Sequence, residues 1–118
     1  MDQVELKRRT KQLAIRVIRL ARTMRQSEEQ RVIARQIIRS ACSVGANYRA
    51  ACRARTKAEF AAKIGIVEEE ADETCFWIEL IVEAQIKPAG AVTDLLNEAN
   101  EITAIMAAAH KTTRLNNA

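Results

Sequence analysis

Between Phe60 and Ile81, the residues Phe60, Ile64, Val67, Ala71, Thr74, Ile78 and Ile81 recur at steps that alternate four and three without a break. A strand turns every second residue to the opposite face, whereas this spacing holds one face of an α-helix for about six turns. Such a seam needs apolar partners along its whole length, which commits the chain to a helical bundle. Thr56-Lys57-Ala58-Glu59 opens this helix as a capping box. Lys87-Pro88-Ala89-Gly90 closes it, because Pro88 cannot donate and Gly90 permits a left-handed turn.

Three further stretches show the same period. Leu6, Leu13, Val17, Leu20 and Met24 form one stripe whose other faces carry Lys7, Arg8, Arg9, Lys11, Arg16, Arg19, Arg22 and Arg25. Ser27 with Gln30 makes a second, weaker capping box, followed by the stripe Ile33, Ile37, Ala41, Val44, Tyr48 and Ala51. Leu95, Leu96, Ala99, Ile102, Met106 and Ala109 define the last. The expected helices cover about residues 3–25, 28–53, 57–86 and 92–111, with 112–118 frayed. Connections of two to five residues between long helices impose antiparallel neighbours. The expected fold is therefore all-α: one domain over residues 1–118, an antiparallel up-down-up-down four-helix bundle.

Two details refine this picture. Gly45 inside the second helix costs about 1 kcal/mol relative to alanine, which the close approach of another backbone would offset. Ile66, Trp77, Leu80 and Ala84 form a second apolar line on the third helix, interleaved with Glu70 and Glu73, a composition suited to a subunit interface.

Charge divides along the chain. Residues 1–63 hold 16 Lys/Arg against 5 Asp/Glu, and residues 64–118 hold 3 against 10, a contrast hidden by the formal net charge of +4. Either the halves neutralise each other, within the fold or between subunits, or the basic half faces a polyanion. On the second helix Arg31, Arg35, Arg39, Arg49 and Arg53 fall opposite the apolar stripe. Arg16, Arg19, Arg22, Arg31, Arg35 and Arg39 are the candidate nucleic-acid contacts, since each neutralised phosphate releases counterions. The four rings, Tyr48, Phe60, Phe76 and Trp77, sit on or beside apolar stripes and offer no base-stacking platform. The alternative is a solvated face whose arginines pair with acids of the third helix, Arg49, Arg53 and Arg55 meeting Glu69, Glu70 and Glu73.

No catalytic, metal or cofactor site emerges. The single histidine, His110, lacks a carboxylate three residues before it, so no di-iron pattern exists, and it reads as a helix-dipole partner. Cys42, Cys52 and Cys75 match neither a closed disulfide set nor a zinc pattern and read as small packing residues in a reducing cytoplasm. Cys42 lies on the arginine-rich side of its helix. No signal peptide or membrane-length apolar run is present, and no phosphate loop, nucleophile elbow or zinc-protease motif, so no enzyme is expected.

The segments RSACSVGANYRAACRARTKAEF (39–60), KIGIVEEEADET (63–74) and FWIEL (76–80) closely resemble the bacterial four helix bundle protein family, also called S23 or 23S rRNA intervening-sequence proteins. The resemblance spans nearly the whole chain. It implies an up-down bundle assembled as a ring-like homopentamer, and a distant relation to accessory proteins of diversity-generating retroelements, which contact nucleic acid and a reverse transcriptase. It also implies Asn47, Tyr48, Arg49, Arg53, Arg55, Lys57, Glu59, Glu69, Glu70, Asp72 and Glu73 as signature polar positions, with Cys52 and Cys75 at variable ones. The expectation is a small non-enzymatic oligomer associated with RNA or a nucleoprotein. Its rival is a protein-interaction scaffold whose Arg and Glu clusters serve assembly alone.

Overall fold

A computed structural model describes residues 1–117. It contains four helices, α1 (Gln3–Ala21), α2 (Glu28–Ala51), α3 (Lys57–Glu83) and α4 (Ala89–Asn117), in an envelope of 47 × 22 × 19 Å. Each packs against the next in sequence, and α1 with α4 closes the bundle along its thinnest seam. The short connections leave no other route, so the chain runs up, down, up and down.

The helix starts obey local chemistry. Asp2, Ser27 and Thr56 each accept the backbone N–H three residues on, at 2.8, 3.2 and 3.0 Å. In the two capping boxes the return bond lands one residue early: Glu59 accepts from the Arg55 N–H and Gln30 from the Gln26 N–H.

The end of α3 differs from expectation. The left-handed residue is Gln85 (φ 61°), and Gly90 lies in the first turn of α4 without positive φ. Gln85 N–H donates to Val82 O and Ile86 N–H to Ile81 O, a Schellman closure that satisfies the last carbonyls before Pro88 is reached. Pro88 accordingly starts the next helix, its carbonyl accepting from Ala91 N–H, so α4 begins at Ala89. At its other end α4 continues through the stretch expected to fray, as far as Asn117. It meets no breaker there, and Thr112 and Thr113 bond back to Ala108 and His110. Residue 118 of that stretch lies outside the described residues.

The anticipated stripes meet in one core. Leu13, Val17, Ile37, Val44, Ile64, Val67, Ile78, Ile81, Ile102 and Met106 are essentially inaccessible. Inside it Ser40 and Thr74 share a hydroxyl–hydroxyl bond of 2.9 Å across α2 and α3, and whichever hydroxyl does not donate to the other donates to a carbonyl of its own helix, Ile37 for Ser40 or Glu70 for Thr74. Gly45 faces the α1 backbone, but a Cβ there would lie 3.4 Å from the Thr10 carbonyl oxygen, an ordinary contact, so the approach does not require glycine. Trp77 and Leu80 of the second α3 line pack partly against the core, while Ile66 and Phe76 stay exposed.

Candidate nucleic-acid interface

The Ser40–Thr74 contact sets the register of α2 against α3, and that register decides which cations are neutralised. Arg39, one residue before Ser40, lies level with the acid-rich middle of α3 and donates to Glu70 at 2.7 Å and to Glu73. Glu73 also accepts from the Trp77 indole N–H at 2.9 Å, and Trp77 and Arg39 together hold its carboxyl below the ordinary range. Within the single chain, the expected pairing of Arg49, Arg53 and Arg55 with Glu69, Glu70 and Glu73 is not made. Those arginines lie at the C-terminal end of α2 and beyond, against the start of an antiparallel α3, whereas the acids lie more than two turns further along.

A second neutralisation was hidden in α1. Arg9, grouped above with the outward cations, is 8% exposed and donates to Glu98 of α4 from Nε (2.9 Å) and Nη2 (2.6 Å), with Glu101 at 3.2 Å. This charge-assisted fork spans the thin α1–α4 seam and holds the Glu98 carboxyl below its usual range. The sequence carried one signal for it: Arg9 sits beside the stripe residues Leu6 and Leu13 in angle.

The remaining candidates separate. Arg16 and Arg19 line a 380 Å³ depression between α1 and the start of α4, together with Asp94. Arg31 meets Glu28 at 3.4 Å. Arg22 and Arg35 are exposed, with no carboxylate partner among the described residues. Of the six, Arg31 and Arg39 are paired with carboxylates, and Arg16, Arg19, Arg22 and Arg35 form no ion pair among the described residues.

A different set does converge. The close passage of α1 over Gly45 leaves a groove of about 780 Å³ between the two helices. Ala14, Cys42, Gly45 and Ala46 lie along it, with Gln3, Lys7, Arg8, Lys11, Arg49, Cys52 and Arg53. Five cations and no carboxylate line it, and only Arg8 is paired, to Glu5 at 2.6 Å; Lys7, Lys11, Arg49 and Arg53 have no acid partner among the described residues. In the sequence, Arg49 and Arg53 read as assembly positions, and Lys7 and Lys11, each taken alone, carry no signal of a role. Their i, i+4 spacing, on α1 and at the C-terminal end of α2, is the available signal, but it speaks only once the helices are paired.

The other signature positions play structural parts. Asn47 donates to the Ser43 carbonyl and hydroxyl, and Tyr48 is buried in the core, where desolvation raises its hydroxyl pKa. Arg55, Glu69 and Asp72 are exposed. His110 is not at a helix end, since α4 continues past it. Its Nδ1 lies 2.9 Å from Glu68 Oε1 and its ring rests on Gly65, so it serves as an α3–α4 contact. Cys75 is buried, 3.6 Å from the Thr103 hydroxyl. Among the described residues no cluster of His, Cys, Asp and Glu is arranged to hold a metal, and no helix is long and apolar enough to cross a membrane.

Comparison with known proteins places this geometry. Residues 2–108 match the family model described as 23S rRNA-intervening sequence protein. The fold is similar to the crystal structure of a protein of unknown function from the S23 ribosomal protein family of Bacteroides thetaiotaomicron. That similarity has a TM-score of 0.86 and 29% identity over 94% of this chain and 99% of that one. No curated protein matches the chain.

Proposed function

Because the chain belongs to the 23S rRNA-intervening sequence protein family, we propose that it is a non-catalytic RNA- or nucleoprotein-binding module that grips phosphates along the α1–α2 groove. The observation that carries this reading is four cations without acid partners among the described residues, Lys7, Lys11, Arg49 and Arg53, along one groove that no carboxylate lines. No ring lines the groove, so base stacking has no platform and the ligand is structured or duplex RNA read through its backbone. The three free cysteines accord with a reducing cytoplasm.

Electrophoretic mobility shifts with duplex RNA test this. Four neutralised phosphates give a log–log salt slope of about −3 to −4, insensitive to sequence. Lys11→Glu with Arg49→Glu should abolish the shift, and Arg39→Ala should leave the slope intact because Arg39 is already paired. Absence of any shift at about 50 mM salt, or equal loss from Arg39→Ala, overturns the proposal.

Exposed Phe76 (54%) and Ile66 (39%) on acidic α3 favour a second reading: self-assembly, as a homopentamer, through that face. Light scattering decides it. Phe76→Glu should dissociate the oligomer with unchanged circular dichroism, and a monomeric wild-type protein sinks the reading. If Arg53 instead holds the oligomer together, Arg53→Ala will dissociate it.

A further inference from the structure

The hydrogen-bonding inventory of the α1–α2 groove is one-sided. The side chains of Lys7, Lys11, Arg49 and Arg53 are donors with no acceptor atom. Among the described residues that line the groove, Gln3 alone carries a side-chain oxygen, and Ala14, Gly45 and Ala46 add no polar side-chain atom. The groove therefore suits a ligand built of acceptors and has almost nothing to offer a ligand's own donors.

Its dimensions narrow the choice. The lining residues of α1 run from Gln3 to Ala14, about 16 Å along the helix axis. The volume of about 780 Å³ falls among small-ligand clefts of roughly 300–1,000 Å³. A thin chain can lie inside it, whereas a duplex can only rest a strand edge on it.

We infer, resting on the phosphate-binding reading of the same groove, that it is a binding site for condensed inorganic phosphate, a linear polyphosphate chain, which competes there with RNA. Each internal phosphate of such a chain is a negative charge surrounded by acceptor oxygens, and a single bridging oxygen joins it to the next. In an RNA strand a ribose stands between phosphates and brings a 2′-hydroxyl whose donor the lining barely answers. Condensed phosphate thus sets more charge against the same length of groove. Lys7 and Lys11 lie about 6 Å apart along α1, Arg49 stands in the last turn of α2, and Arg53 follows the C-cap Cys52. A run of linked phosphates meets all four without carrying any group that the lining cannot match. A concave surface of one sign also focuses its field inward, which favours the ligand of highest charge density.

The test uses the full chain at about 50 mM salt, with calorimetric titration of orthophosphate, tripolyphosphate and a longer polyphosphate, and displacement of fluorescent duplex RNA by each. Orthophosphate should give no saturable binding, and affinity should rise from tripolyphosphate to the longer chain. The longer chain should displace the RNA at a phosphate concentration at least about tenfold lower than unlabelled duplex RNA requires. Lys11→Glu with Arg49→Glu should weaken polyphosphate binding at least about tenfold. Lys111→Glu with Arg114→Glu makes the same change in net charge at exposed positions of α4 that do not line the groove, and should leave affinity within about twofold. Circular dichroism confirms that both variants fold. Polyphosphate binding no tighter than RNA per phosphate, or equal losses from the two double variants, overturns the inference. If duplex RNA binds and polyphosphate fails to displace it, the inference fails while the RNA reading stands. If polyphosphate binds through Lys11 and Arg49 and RNA does not bind at all, the RNA reading fails while the polyphosphate site stands.

Discussion

Arg9→Met removes a buried fork that ties α1 to α4, and its cost can be worked from the geometry. Arg9 and Glu98 share two hydrogen bonds of 2.6 and 2.9 Å, with the side chains 10% and 21% exposed. Breaking a buried pair by removing one partner costs about 3–5 kcal/mol, because the survivor stays desolvated and uncompensated. Glu98 keeps a fifth of its side-chain exposure and recovers some hydration, and exposed Glu101 loses little, so the expected cost is about 2–3 kcal/mol. With an m value of about 1.5 kcal/mol/M, the urea midpoint falls by roughly 1.3–2 M. Arg9→Met with Glu98→Leu fills the seam with apolar volume and should return to within about 1 kcal/mol of wild type.

Acid supplies an independent check. Arg9 depresses the folded pKa of Glu98 below its ordinary 4.5, so this stabilisation is complete above that value and is lost as pH falls through the folded pKa. The gap between wild type and Arg9→Met should therefore be full at about pH 7 and shrink by about pH 2.5. Urea melts followed by circular dichroism, at matched protein concentration, measure both. A gap under about 0.5 kcal/mol at neutral pH, or one that persists in acid, refutes the reasoning.

Other expectations are as direct. Gln85→Gly relieves a left-handed residue at the Schellman position and should raise stability by about 1 kcal/mol, whereas Gln85→Val should lower it; a falling midpoint for the glycine variant counts against the closure described. Gly45→Ala and Gly65→Ala should diverge although both glycines are helical. The first finds ordinary contact at 3.4 Å and gains about 1 kcal/mol of helix propensity. The second drives a Cβ to 3.1 Å from the His110 ring and should be destabilising unless combined with His110→Ala. A double-mutant cycle of Ser40→Ala and Thr74→Val should return a coupling of about 0.5–1.5 kcal/mol, and zero coupling would deny the shared hydroxyl bond.

Which features could be read in advance follows from the range of the physics. Seam periodicity and the Ser27 and Thr56 caps act within a turn or two of helix, so the helices, their partners and the bundle were legible from residues 27–81 and their neighbours. The end of α3 was misjudged because Pro88 and Gly90 are conspicuous, whereas Gln85 adopts its left-handed turn only because Ile86 must fold back onto the core.

Charge assignment belongs to the other class. Arg9 and Arg8 are adjacent and chemically alike, yet one is buried against Glu98 and the other pairs at the surface with Glu5. Arg39 and Arg49 share a helix face, yet one is neutralised by α3 and the other lines an open groove. A helix repeat determines which residues point the same way, because that is set by bonds along a single backbone. Which cations find acids depends on the axial register between helices, set by contacts such as Ser40 with Thr74 and Gly45 with Thr10, and that exists only once the bundle has closed.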